Sequence, residues 1–92
     1  MDTYLVECFV PGIERTDVVA AAERVSAASA VARAAGGAIE YVAALLMPAD
    51  EVVFHLFRSA SADAVREACA RAELPYERVL ATEYFAAAKG ES

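Results

Sequence analysis

Chemistry in this chain of 92 residues has few places to reside, because it contains one histidine and two cysteines. Cys8 and Cys69 form no C-x-x-C pair, and each sits in an apolar pattern, so both read as buried free thiols. One imidazole and two separated thiols do not close a zinc site within one chain. His55 is the more informative residue. It interrupts the apolar run Val52-Val53-Phe54-His55-Leu56-Phe57, as Glu7 interrupts Leu5-Val6-Glu7-Cys8-Phe9. An ionisable group inside an apolar strand is costly unless it is paired or used. A carboxylate beside an imidazole orients its tautomer and stabilises the imidazolium, which is what acid–base chemistry requires. Glu7 and His55 are therefore the candidate catalytic pair, and also the candidate metal ligands. Phe9 and Phe57 share their parity and would supply apolar contacts to a ligand. Thr82 and Tyr84 are candidate polar contacts. Tyr41 reads as a packing aromatic.

The elements that must position these residues follow from turn signals and periodicity. Tyr4–Val10 is a strand stopped by Pro11-Gly12. Thr16-Asp17 opens a long helix with Val18, Ala22, Val25, Ala28 and Ala32 at helical spacing, and Gly36-Gly37 ends it. Ile39–Met47 and Glu51–Arg58 are strands joined at Pro48-Ala49-Asp50. Ser61 caps a second helix from Ala62 to about Ala72, which Leu74-Pro75 stops. Arg78–Phe85 is the last strand. This β-α-β-β-α-β order predicts an α+β, ferredoxin-like, four-stranded antiparallel sheet in the order 4-1-3-2, with two helices on one face. It forms a single domain over residues 1–88, with a disordered tail at 89–92.

Alternation assigns Val6, Cys8 and Val10 with Val52, Phe54 and Leu56 to one apolar face. Leu5, Glu7, Phe9, Val53, His55 and Phe57 then fall on the other, the one without helices. In this order the first and third strands are adjacent, roughly 4.8 Å apart, so Glu7 and His55 would be neighbours. Two helices cover one face of such a sheet, yet both faces carry large apolar side chains. Each is worth roughly 1.5–3 kcal/mol when buried, and extended apolar patches mark interfaces or pockets. The second face is expected to pack on a second copy of the chain, as a homodimeric α+β barrel or sandwich.

Composition narrows the function classes. Apolar residues make up 59% of the chain, but 23 residues are alanine, so the large side chains are few and fall mainly in the strands. The formal net charge of −6 argues against nucleic acid and anionic membranes as partners. No apolar run approaches the ~18 residues of a membrane span, and Met1-Asp2-Thr3-Tyr4 lacks the basic and apolar regions of a signal peptide, so the protein reads as cytoplasmic. Phosphate-binding glycine loops, H-E-x-x-H and G-x-S-x-G are absent from the sequence.

Two stretches carry a resemblance. They are Tyr4-Leu5-Val6-Glu7 ahead of Pro11-Gly12, and Ser59-Ala60-Ser61-Ala62-Asp63-Ala64-Val65-Arg66-Glu67-Ala68 followed by Leu74-Pro75-Tyr76-Glu77-Arg78-Val79. Over nearly the whole chain the sequence resembles a small actinobacterial family, formally a domain of unknown function, that includes a nickel-binding protein. The resemblance implies a dimeric ferredoxin-like sandwich, with nickel or another divalent transition metal as the candidate cofactor. Glu7 is kept, whereas Ala43 stands where that family often has histidine and His55 where it often has cysteine; imidazole can replace thiolate as a nickel or copper ligand. A looser likeness runs to dimeric α+β barrel enzymes such as cofactor-free monooxygenases, muconolactone isomerase-like proteins and polyketide cyclases. Three functions therefore stay open: a dimeric ligand- or metal-binding protein of the nickel-binding type, a cofactor-free cyclase or isomerase of secondary metabolism using His55 and Glu7, and a structural or regulatory dimer. A cavity reaching His55 would favour the enzyme.

Overall fold

Each strand of the chain is built from β-branched, aromatic and leucine residues, and each break falls where the backbone needs a turn. The computed structural model describes residues 1–87. Its elements are β1 (Asp2–Phe9), α1 (Arg15–Ala34), β2 (Ile39–Met47), β3 (Val52–Ser59), α2 (Ala62–Arg71) and β4 (Arg78–Thr82). The sheet order is β2-β3-β1-β4 with every neighbouring pair antiparallel, which is the expected order read from its other edge. The fold is α+β and ferredoxin-like. The expected tail at 89–92 lies outside the described residues.

Local signals set most boundaries. α1 begins two residues earlier than Thr16 suggests: Glu14 is its N-cap, and Asp17 Oδ2 accepts the Glu14 N–H at 2.9 Å. This places acidic side chains at the positive end of the helix. α1 stops at Ala34, and Gly36 takes φ 95°, a conformation open to glycine without strain. Ser61 Oγ caps α2 by accepting the Ala64 N–H at 3.1 Å. β4 is shorter than expected, ending at Thr82 instead of Phe85. The physical reason is its partner: Thr82 pairs with Thr3, one residue from the start of β1, so Glu83–Phe85 have no ladder to join.

The core lies between the sheet and the two helices. Val6, Val25, Ile39, Phe57, Val65 and Cys69 are almost completely excluded from solvent. Val25 and Ala28 lie at the centre of the α1 stripe, and small alanines let both helices approach the sheet closely. α1 also buries Ser29 completely, and its Oγ is sealed without a hydrogen-bond partner. An unmade hydrogen bond of this kind destabilises, and serine is a poorer helix former than alanine. Ser29→Ala is therefore expected to raise unfolding stability by about 1 kcal/mol, read as a higher denaturant midpoint at unchanged slope.

Candidate functional site

The register of β1 against β3 decides where His55 goes. Val6 pairs with His55, Cys8 with Val53 and Tyr4 with Phe57, so these six side chains share one face. It is the helix-covered face: His55 is 1% exposed and Phe57 0%. Glu7 pairs with Phe54 and Leu5 with Leu56, which puts Glu7 on the open face. Glu7 and His55 thus lie on opposite faces of the sheet, and the expected pair does not form. Alternation assigns each strand two faces, but only the pairing register says which face of β3 joins which face of β1, and a one-residue slip exchanges them.

Glu7 instead accepts from Arg78 Nε, at 2.6 Å, on the neighbouring strand. The other expected site residues disperse as well. Phe57 is core and packs edge-to-face on Tyr41, with ring centroids 5.3 Å apart. Phe9 is half exposed at the end of β1. Thr82 and Tyr84 line a cleft of about 680 Å³ at the rim of the open face, with Arg58, Glu40 and Val42. His55 does not line it.

His55 has a partner that the sequence reading missed. Tyr41 Oη and His55 Nδ1 are 2.8 Å apart. The register of β2 makes this reach possible. Tyr41 pairs with Phe57, a bulge at Val42 follows, and Ala44 pairs with His55. The extra residue lets both Tyr41 and Ala44 face inward, where strict alternation would admit only Tyr41 and Ala43. Alanine opposite His55 leaves space for the phenol. The signal available in the sequence was the spacing of an aromatic residue to a small residue three positions later.

Electrostatics fix the protonation states. Burial, reinforced by the Arg24 charge, pulls the His55 pKa down to about 4, so the imidazole is neutral near pH 7. Burial pushes the Tyr41 phenol up to about 12, so it keeps its proton. The Tyr41 hydroxyl has no other hydrogen-bond partner among the described residues. The phenol can donate to Nδ1 or accept from it; when it donates, the neutral imidazole carries its proton on Nε2. Nε2 has no hydrogen-bond partner among the described residues, yet it is not among the sealed, unsatisfied atoms. His55 lines a cavity of about 310 Å³ between α1 and the sheet. Val10, Ile13, Val18 and Leu74 form apolar walls, with Asp17 and Arg24 at the rim. Cys8 and Cys69 are inert neighbours, their thiols pushed up to about 12 and about 11 by burial.

This donor set does not fit a resident nickel or other divalent ion. His55 and Glu7 are on opposite faces, Nδ1 is occupied by Tyr41, and no group of three or more metal-ligating side chains exists among the described residues. Nor is any helix among the described residues long and apolar enough to cross a membrane.

Comparison with known proteins extends the fold and not the function. No family model matches the chain, and no curated protein matches it. Among solved structures, SCO4226 from Streptomyces coelicolor A3(2) superposes with a TM-score of 0.72 at 18% identity, covering 91% of this chain and 99% of that one. The two proteins share the ferredoxin-like fold.

Acid should act on the fold through His55. The unfolded imidazole titrates near 6.5 and the folded one near 4, so between these values the unfolded state binds more protons. Stability is then full above pH 6.5 and is lost as pH falls toward 4, by on the order of 2–3 kcal/mol. Denaturation across this window should show that loss in the wild type and a correspondingly flatter profile in His55→Gln.

Proposed function

We propose that the protein binds a small, largely apolar carbonyl compound in the cavity beneath α1 and acts on it without a cofactor, in the manner of an isomerase or cyclase. The observation that carries this reading is a buried imidazole, hydrogen-bonded through Nδ1 to Tyr41, that lines a cavity of about 310 Å³; with Tyr41 as the donor, the proton of the neutral ring is on Nε2 and available to a ligand. A neutral imidazole donating to a carbonyl oxygen polarises the carbonyl, and a preset donor needs no reorganisation to do so. His55 is the group that touches the ligand. Tyr41 is a positioning residue, because it acts by holding the imidazole in one tautomer. The size of the cavity and its apolar walls suit a ligand of one ring or a short branched chain.

The open face supports a homodimer. Leu5, Val52, Phe54, Leu56, Leu80 and Leu45 line it, and no element among the described residues covers it. Two copies placed face to face would bury these side chains, each worth roughly 1.5–3 kcal/mol. The acidic Glu7 is neutralised there by Arg78, which lowers the cost of covering it.

Two measurements test these readings. Acetophenone, a neutral aryl ketone, should bind with a shift of the His55 ring nitrogen resonances in heteronuclear NMR. Tyr41→Phe should weaken binding several-fold and scramble the Nε2–H tautomer signature; unshifted ring resonances at saturating ketone would refute the site. Light scattering on the eluting protein should give twice the chain mass at micromolar concentration, and Leu56→Glu should give a folded monomer. A monomeric wild type would refute the dimer.

A further inference from the structure

Arg24 is tied down at the edge of the cavity. Its Nε donates to the Ala72 carbonyl at 3.1 Å, at the C-terminal cap of α2, which pins the guanidinium at the mouth of the cavity. That contact uses one of its five N–H groups. Among the described residues Arg24 has no ion-pair partner, since the ion pairs there are Arg66 with Asp63 and Arg78 with Glu7. Asp17 also lines the cavity, but its carboxylate is engaged by the Glu14 N–H at the start of α1. The charge of Arg24 is nonetheless felt inside, since it helps suppress protonation of His55. In a chain of net charge −6, a fixed cation without a carboxylate partner stands at the entrance of an apolar cavity.

We infer that the cavity selects a small monocarboxylate: Arg24 takes the carboxylate at the mouth, the apolar walls take the body, and His55 Nε2 meets an oxygen at the other end. This assignment rests on the proposed cavity site and adds the charge of its ligand. A guanidinium donates to a carboxylate through two parallel N–H groups, so it recognises geometry as well as charge. Arg24 keeps such a pair available because Nε, and not the Nη nitrogens, is spent on Ala72. The ligand class that results is a keto or oxo acid with one short apolar spacer. Neutral analogues would enter but bind less tightly.

Two isosteric probes separate this inference from the reading beneath it. 4-Acetylbenzoate and 4-acetylbenzamide differ in charge and little in shape, and both carry the ketone. Calorimetry on the full chain should show the carboxylate binding at least tenfold more tightly than the amide. Arg24→Met keeps the apolar stem and should remove that preference while leaving amide binding within about twofold. Arg24→Lys should restore part of it. An Arg24 that only ties α2 to α1 would instead lower the denaturation midpoint of the methionine variant and leave the carboxylate preference intact. Equal binding of the two probes to the wild type, or a preference that survives in Arg24→Met, overturns the anion assignment while the cavity site stands. Absence of binding by both probes overturns the cavity site and this assignment together.

Discussion

A neutral imidazole can be buried in an apolar sheet only if its ring nitrogens are satisfied, and in this protein the Tyr41 hydroxyl meets that requirement for Nδ1. Much of the architecture follows from that bond. The phenol must reach across from β2, which requires the bulge at Val42 and a small residue, Ala44, opposite the imidazole. With His55 committed inward, Val53, Phe57 and Ser59 face the helices with it. Val52, Phe54 and Leu56 are then forced outward, although they are as apolar as the residues that went in. The open apolar face is thus the counterpart of the buried histidine.

The two faces of the sheet acquire different uses. The inner face ends in a cavity because the helices are rich in alanine, and the space under α1 near Val18 and Ala21 is not filled by large side chains. Burial then works on every ionisable group it reaches in the same direction, toward neutrality. His55 loses its proton, while Tyr41, Cys8 and Cys69 keep theirs. The charged groups stay at the rim or outside, with Arg24 and Asp17 at the cavity mouth and Glu7 with Arg78 on the open face. A buried polar contact among apolar walls, with charged groups at the rim, is the arrangement small-molecule sites use.

Much of the fold was legible before any coordinate. Turn residues punctuate the chain at Pro11-Gly12, Gly36-Gly37, Pro48 to Asp50 and Leu74-Pro75, and between them the periodicity distinguishes strands from helices. These are local effects of backbone sterics, capping and side-chain spacing, so one strand or helix at a time carries enough information, and right-handed crossovers convert the element order into a sheet order. His55 was also legible as exceptional, because an imidazole in an apolar strand is visible without knowing its neighbours. β4 was overextended because its end depends on where β1 begins.

The relation between elements was decided only by the tertiary structure. Glu7 and His55 each had a face within their own strand, but whether those faces coincide depends on register, a property of two strands held together by core packing across the whole domain. Tyr41 was invisible as a partner for the same reason, since its reach depends on a bulge that appears only when β2 is paired with β3. By itself the sequence determined the elements, their order and the residue out of place among them. Three-dimensional packing determined what that residue touches, because side chains far apart in the chain meet only after the register of the sheet is set.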